Sequence, residues 1–283
     1  MIDLFFNLTF LISILRMATP IIFAALGGLL SERSGVINIA LEGHMLLGAF
    51  TGASVALVSQ SAWLGWISAG LAGMILAAVY SYFVIELESE PVVAGTAINL
   101  LMIGGIPLAS KRLFDTTGAT PSLLAEVRFS YEPILMALIV ALLIHFWLSQ
   151  TSSGLWVSFA GQRPEALAPQ GISLRRVRWG SVLFCGTLAA WGGATLSLYL
   201  ASAYSPLMSG GRGFMALAAM IFGRWAPLPT LAACLFFGLT EAVQIRLQGV
   251  HFGGIQVPVQ LIQVIPYVVT IIVLYQPFRR KIV

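Results

Sequence analysis

The sequence predicts an all-α fold: a polytopic transmembrane bundle of about 8–9 helical spans, forming a single domain over residues 1–283. Composition is the first reason, because 58% of the residues are hydrophobic and only 9% are charged. Soluble domains carry roughly a quarter charged residues. The mean hydropathy is accordingly high, at +0.92. The second reason is that long apolar stretches, about 19 residues or more, recur along the chain, and such stretches are typical of membrane-spanning helices.

Eight apolar runs, each bounded by charged or turn-forming residues, are predicted to cross the membrane. In chain order they cover 8–30, 37–60, 62–86, 92–110, 131–149, 179–203, 227–247 and 257–276. Two of these spans carry small residues, at 48–52 and 69–73, that allow neighbouring helices to pack closely.

A further apolar run at 212–223 is too short to cross the hydrocarbon core on its own. It follows the stretch SPLMSGGRG, in which Gly210, Gly211 and Gly213 permit unusual backbone dihedrals and close approach to neighbours. One interpretation is a half-helix that returns the chain to the inner side, with the irregular backbone buried in protein or lining a cavity. The alternative is a simple outer loop followed by a tilted helix.

The distribution of lysine and arginine predicts the orientation of the bundle, because basic residues favour the cytoplasmic side of short loops. With residues 150–178 in the cytoplasm, nine basic residues lie inside and five outside, and Arg16 lies within the first span. We therefore expect the N-terminus and residues 111–130 outside, and the tail FRRKIV inside. The inner set is Arg33, Arg163, Arg175, Arg176, Arg178, Arg224, Arg279, Arg280 and Lys281, and the outer set is Lys111, Arg112, Arg128, Arg212 and Arg246.

The sequence contains no motif that would assign an enzymatic activity. It lacks the phosphate-binding pattern G-x-x-x-x-G-K-[ST], the zinc pattern H-E-x-x-H and the nucleophile pattern G-x-S-x-G. His44, His145 and His251 are scattered, and Cys185 and Cys234 fall inside apolar runs where they are expected to pack. We therefore expect no catalytic residue, no metal and no cofactor. The net charge of +4 is explained by basic loop ends facing anionic lipid, without a nucleic-acid partner.

Three polar residues inside the predicted spans are candidates for intramembrane roles: Asn38, Glu42 and Glu241. Asn38 and Glu42 are four residues apart, so a helix would place them on one face. Glu42 is expected roughly 8 Å from the inner end of its span, and Glu241 shares the outer part of its span with Arg246. Ion-coupled transporters use such groups near the midplane. Anchoring of helix ends, hydrogen bonding between helices and the inner mouth of a pathway are the alternatives.

The longest predicted polar stretch is the loop at 150–178, which contains SFAGQRPEALAPQGISLRRVRWG. Pro164 suits the first turn of a short helix, Glu165 favours a helix N-terminus, and Gly171 would close the helix. A helix this short is not stable alone. Something must hold it, and the alternatives are a cytoplasmic partner protein and the surface of the bilayer.

At this loop the sequence resembles a known family, the permease subunits of ABC importers for simple sugars, nucleosides and branched-chain amino acids. GQRPEALAPQGI is similar to the family's cytoplasmic coupling loop at Glu165, Ala166 and Gly171, with Leu167 in place of a second alanine. Two further stretches carry the resemblance. GRGFMALAAMIFGRWAP at 211–227 resembles the family's Gly-x-Gly-Phe…Gly-Arg-x-x-Pro segment, and residues 18–50 resemble the N-terminal signature of the nucleoside branch.

The resemblance implies an importer half in a bacterial inner membrane, with no activity on ATP of its own. A second permease, identical or paralogous, would lie beside this one, two cytoplasmic ATPase domains would bind ATP, and an external substrate-binding protein would deliver substrate. The residues implied in coupling to the ATPase are Arg163, Pro164, Glu165, Ala166 and Gly171.

Nucleosides are the expected substrate, because residues 18–50 are most similar to the nucleoside branch. Simple sugars or a riboflavin-like nutrient are alternatives, and an ion-coupled secondary transporter acting alone is the alternative from a different class. Binding sites for such molecules combine aromatic stacking with a few directed hydrogen bonds. The candidates for the pathway are Asn99, Tyr199, Tyr204 and Phe214, and packing is the alternative role for each.

Overall fold

The computed structural model describes residues 8–116, 118–247, 251–252 and 255–256, and within them the fold is helical, as predicted. In chain order the α-helices of this part are α1 (Leu8–Arg33), α2 (Leu41–Ser59), α3 (Ala62–Ser81), α4 (Pro91–Phe114), α5 (Glu132–Gln150), α6 (Ser152–Gln162), α7 (Leu174–Thr195), α8 (Arg212–Phe222) and α9 (Pro227–Leu247). Turns of π-helix at Tyr82–Glu86 and Leu196–Leu200 extend α3 and α7. Two short strands, β1 (His251–Phe252) and β2 (Ile255–Gln256), pair antiparallel.

Seven of the described helices, with their extensions, are long and apolar enough to cross a membrane. They coincide with the first seven predicted spans, which are thereby confirmed. The predicted span at 257–276 and the tail FRRKIV lie outside the described residues. α8 has 11 residues and is therefore about 16 Å long, roughly half the thickness of the hydrocarbon core.

The centre of the bundle is α7, which packs against α1, α2 and α3. Glycines make these contacts close, as the small residues in the sequence predict. A Cβ added at Gly48 of α2 would collide with the backbone of Ala190, and one added at Gly73 of α3 would collide with the backbone of Gly186. Because lipid tails are as apolar as leucine, helices in a membrane are held together by such close packing.

An aromatic cluster joins three helices to the loop that precedes α5. Trp66 of α3 stacks on Trp191 of α7 with ring centroids 5.7 Å apart and meets the edge of Phe23 of α1 at 5.3 Å. Phe129 of the loop contacts Trp66 at 5.5 Å and Trp63 at 5.1 Å. Phe129 therefore fixes this loop to the bundle.

Candidate functional site

The predicted loop at 150–178 contains a helix that the sequence analysis missed. α6 occupies most of its first half, and Thr151 caps it by accepting a hydrogen bond from the N–H of Gly154 at 3.1 Å. The irregular part is reduced to 163–173, because α7 already begins at Leu174. The helix was missed because its buried face consists mainly of small residues, Gly154, Val157 and Ala160, which give no strong apolar periodicity.

The predicted short helix at 163–171 forms as two consecutive 3₁₀ turns, Pro164–Ala166 and Ala168–Gln170, so the expectation of one α-helical piece is corrected. Pro164 does begin the first turn, and Gly171 closes the second with a φ of +71°. The physical reason for the break is Pro169, which has no N–H with which to continue an α-helix begun at Pro164.

Leu167, the residue that replaces the second alanine of the coupling loop, is buried between the two turns. Its carbonyl accepts hydrogen bonds from the N–H groups of Gln170, at 3.1 Å, and Ile172, at 3.2 Å. Arg163 and Glu165, in contrast, are exposed. The segment is therefore anchored on one side by Leu167 and presents a polar face on the other.

The C-terminal end of α6 packs directly against the C-terminal end of α1. A Cβ added at Gly161 would collide with the carbonyl of Arg33, and Gly35 turns the chain there with a φ of +87°. Arg178 of α7 donates a hydrogen bond to the carbonyl of Ser34 at 3.3 Å. The segment at 163–171 therefore adjoins the junction at which α1, α6 and α7 meet.

Two further contacts tie neighbouring inner segments to the same region. Glu86, at the end of the α3 extension, accepts hydrogen bonds from Arg175 at 2.5 Å and from the indole of Trp179 at 2.7 Å. Glu32, near the end of α1, accepts one from the indole of Trp225, which follows α8, at 2.5 Å. Side-chain hydrogen bonds therefore join the end of the α3 extension to the start of α7, and the end of α1 to the turn that follows α8.

The connection between α1 and α2 corrects the predicted span at 37–60, because α2 begins only at Leu41. Asn38 precedes the helix, and its amide donates to the sulfur of Cys185 at 3.3 Å. Ser34 accepts a hydrogen bond from Arg178, which lies seven residues before Cys185 on α7. Seven helical residues rise about 10 Å. The chain therefore moves about 10 Å deeper into the bundle between Ser34 and Asn38. The stretch VINI is rich in β-branched residues, which favour extended backbone.

Glu42 consequently lies deeper than predicted, and it does not share a helix face with Asn38. Its buried carboxylate faces the N-terminus of α8, where it accepts hydrogen bonds from the Ser209 hydroxyl at 2.5 Å and from the N–H groups of Gly211 at 2.9 Å and Gly213 at 2.8 Å. N–H groups at the start of a helix have no partner within the helix and carry partial positive charge. Glu42 therefore caps α8.

The position of α8 confirms the half-helix interpretation. Its first turn lies against Glu42, deep in the bundle, and the turn after its last residue lies at the inner end of α1, where Trp225 contacts Glu32. Gly210 and Gly211 have φ values of +55° and +81°, as the glycines in the sequence predict.

Glu241 of α9 pairs with Arg212 rather than with Arg246. The guanidinium of Arg212 lies 3.1 Å from the Glu241 carboxylate and also donates to the carbonyls of Met208 and Ser209. Arg246 instead lies over the ring of Phe10, 4.8 Å from its centroid. The placement of Arg212 in the outer set is therefore corrected, since it is held within the bundle at the N-terminus of α8.

Three of the four pathway candidates are buried and packed in the described chain. Asn99 of α4 accepts from the N–H of Gly43 at 2.7 Å and donates to the carbonyl of Ile39 at 3.0 Å, which fixes the start of α2. The rings of Tyr204 and Phe50 meet edge to face at 5.4 Å, and burial raises the pKa of Tyr204 to about 12.

Tyr199 is buried in the last turn of the α7 extension, whereas Phe214, on α8, is exposed. Phe214 follows Gly213, whose N–H donates to Glu42 at the start of α8. The other three candidates lie in separate packed environments. A groove of about 730 Å³ lies elsewhere, between α5, α6 and α7, and its lining is mostly apolar. Within the described residues, no three His, Cys, Asp or Glu side chains are grouped to hold a metal ion.

Comparison with known proteins agrees with this architecture. Residues 10–274 match the family described as the permease component of branched-chain amino acid transport systems. The chain is 30% identical to the nucleoside ABC transporter permease protein NupC of Lactococcus lactis, with 91% of this chain and 88% of that one covered. The guanosine ABC transporter permease protein NupQ of Bacillus subtilis gives the same identity and coverage.

A sugar permease is similar too. The putative glucose ABC transporter permease protein TsgC13 of Haloferax volcanii is 32% identical, with 91% of this chain and 88% of that one covered. The family match spans nearly the whole chain. The described chain forms a multi-pass helical bundle, and its named relatives are permeases. The chain belongs to the branched-chain amino acid transport permease family and is a non-catalytic permease subunit of an ABC importer.

Proposed function

We propose that this importer takes up nucleosides, driven by ATP hydrolysis on a separate ATPase subunit. The observation that carries the substrate is the similarity of residues 18–50 to the signature of the nucleoside branch, and two nucleoside permeases are 30% identical to this chain over 91% of its length. A putative glucose permease is 32% identical over the same share of the chain, so overall identity does not separate the two substrates. This family membership also decides against an ion-coupled secondary transporter acting alone.

The exposed face of the segment at 163–171 is the proposed docking surface for the ATPase. Arg163, Pro164, Glu165, Ala166 and Gly171 are at least partly accessible there, while buried Leu167 holds the segment to the bundle. A force applied to this face reaches α1 directly, because α6 contacts the carbonyl of Arg33 at Gly161. From there the chain runs through 34–40 to Glu42 and so to α8. This continuous path of contacts supports a coupling role.

The proposed translocation pathway runs along α8 and the irregular segment that precedes it. Ser205, Pro206, Leu207 and Gly210 are exposed in the described chain, although the segment descends to the level of Glu42. Irregular backbone at membrane depth is not found facing lipid; it faces protein or a water-filled cavity. We therefore place the second permease subunit and the pathway on this side, where Phe214 is exposed and available for stacking. The role of the buried residues Asn99, Tyr199 and Tyr204 would be to pack beneath this surface and hold its shape.

The remaining partners of the proposed assembly follow from its type. A second permease, identical or paralogous, two cytoplasmic ATPase domains and an external substrate-binding protein would complete the importer, in the plasma membrane of a bacterium. The outer loop around 111–130 would face the binding protein. Gly171 and the exposed side chains of Arg163 and Glu165, on the opposite side, would face the ATPase.

Uptake by intact cells tests the substrate. Cells that express the complete importer, and matched cells that lack only this chain, would be given radiolabelled guanosine, uridine, glucose and riboflavin. We expect nucleoside accumulation that requires the chain and is competed by unlabelled nucleosides. Chain-dependent uptake of glucose in place of nucleosides would establish the sugar alternative, which the similarity to a glucose permease favours as the second candidate. Chain-dependent riboflavin uptake would likewise replace the nucleoside proposal.

A further inference from the structure

Two arginines at the outer end of the bundle converge on a single backbone carbonyl. Arg16 of α1 donates to the carbonyl of Tyr199 at 3.0 Å, and Arg128 of the outer loop donates to the same oxygen at 3.2 Å. The guanidinium of Arg16 also lies over the Tyr199 ring, 4.9 Å from its centroid. Two positive charges are thus held side by side at the end of the α7 extension.

No carboxylate forms an ion pair with either arginine within the part of the chain that the structure describes. The ion pairs there are Arg175–Glu86 and Arg212–Glu241. Glu132, whose charge reaches the Tyr199 hydroxyl, accepts hydrogen bonds from the N–H groups of Ser130 and Tyr131 and forms no ion pair with either arginine.

The helix end alone does not balance the two cations. The C-terminal end of a helix carries about half a negative charge, which is less than the two positive charges of the arginines. The Nε atoms of Arg16 and Arg128 are buried and lack a hydrogen-bond partner in the described chain. Both side chains are only partly buried as a whole. Their remaining guanidinium N–H groups can therefore bind an anion that approaches from outside.

The surroundings place this pair at the headgroup level of the membrane. Arg16 lies 17 residues from Arg33 at the inner end of α1, a rise of about 26 Å, close to the boundary of a hydrocarbon core about 30 Å thick. Trp63 and Tyr131, near Arg128, are 51% and 61% exposed. Tryptophan and tyrosine concentrate at the membrane–water interface. On the membrane side of the pair, α5 exposes the apolar side chains of Leu135 and Ile139.

We propose that Arg16 and Arg128 bind the phosphate of a phospholipid in the leaflet on the side of residues 111–130. Arginine suits this ligand because its planar fork of donors matches phosphate oxygens in two parallel hydrogen bonds. The acyl chains would run from the phosphate towards the midplane, along the exposed apolar side chains of Leu135 and Ile139 on α5. The site concerns assembly in the membrane and does not depend on which substrate is imported.

Lipid retention by the purified full-length chain tests the proposal. Native mass spectrometry and thermal unfolding in detergent would be carried out with phosphatidylglycerol, with diacylglycerol of the same acyl chains, and with inorganic phosphate. For the wild-type chain we expect retention of phosphatidylglycerol and a raised unfolding temperature, with neither effect from diacylglycerol. In the Arg16→Gln, Arg128→Gln double variant, affinity should fall about tenfold or more, since hydrogen bonds to charged groups are lost. Arg112→Gln, which removes one exposed cation on the same side, should retain the lipid.

Several results would overturn the proposal. Equal retention by the double variant and the wild type would show that the lipid binds elsewhere, and equal effects of diacylglycerol would show that the phosphate is not recognised. Stabilisation by inorganic phosphate without retention of lipid would assign the site to a free anion. Loss of binding-protein docking in the double variant, with no lipid retained by the wild type, would assign it to an acidic protein surface. Where the double variant does not fold, the single variants Arg16→Gln and Arg128→Gln test the location, and retention equal to that of the wild type by both would overturn it.

Discussion

Glu42 is the single side chain on which the half-helix depends most directly. A carboxylate removed from water is stable only where hydrogen bonds and positive potential compensate for its lost hydration. The hydroxyl of Ser209 and two N–H groups at the start of α8 supply that compensation. Glu42 lies in the first turn of its own helix as well, where negative charge is favourable. One residue thus stabilises the starts of two helices.

Glu42→Gln should destabilise the bundle although it preserves the shape of the side chain. The amide group has one acceptor oxygen, and its NH₂ group would face N–H donors of α8. A buried donor without a partner costs about 1–3 kcal/mol, so the unfolding temperature in detergent should fall and transport should weaken. Glu88→Gln, which removes the same charge at an exposed position, is the control and should leave the unfolding temperature and transport unchanged. A variant as stable as the wild type would show that Glu42 does not hold α8.

Gly213→Ala tests the close approach of α8 to Glu42. A Cβ at this position would lie 2.5 Å from the N atom of Glu42 and 2.7 Å from its Cα. Overpacking of this kind costs about 1–3 kcal/mol, so the variant should unfold at a lower temperature. Gly104→Ala provides the matched control, because a Cβ there would meet no described atom within 4 Å. Equal unfolding temperatures for the two variants would contradict the packing seen at Gly213.

At the level of the elements, hydrophobicity predicts the long spans but does not reveal where a chain inside the membrane ceases to be helical. The run at 37–60 is predominantly apolar, so α2 was expected to start before Leu41. The sequence signals for this non-helical stretch were Gly35 and the β-branched residues of VINI that follow it. The pairing of Arg212 with Glu241 could not be predicted, because the two residues lie on different helices and their contact depends on the tertiary arrangement.

The segment at 163–171 is the proposed coupling element, and the Glu165→Lys, Gly171→Val double variant tests that proposal. Gly171 has a φ of +71°, a conformation that disfavours a β-branched residue by about 1–2 kcal/mol. Nothing described lies within 4 Å of an added Cβ, so the bundle itself should survive. We expect normal expression and insertion, with loss of ATPase co-purification.

The control for this element is a variant with the same charge change on the opposite side, Glu126→Lys, at an exposed position of the outer loop. It should co-purify with the ATPase like the wild type. Normal assembly and transport by the Glu165→Lys, Gly171→Val double variant would return the segment to the alternative of a loop lying on the bilayer.

At the scale of the whole molecule, the orientation of the bundle remains a prediction from nine basic residues inside and, without Arg212, four outside. Introduced cysteines at Ser152 and Ser122, both exposed, would be labelled with a membrane-impermeant thiol reagent in intact cells. Cys185 and Cys234 are buried and should give little background. We expect labelling at position 122 alone. Labelling at 152 in intact cells would invert the topology.

The central claim is that this chain transports only when a separate ATPase drives it through the cytoplasmic segment. The most direct measurement is nucleoside uptake into proteoliposomes that contain the chain alone or the complete importer, with ATP or with a proton or sodium gradient as the energy source. We expect uptake only by the complete importer, in the presence of ATP and the binding protein. Uptake by the chain alone, driven by an ion gradient without ATP, would contradict the account.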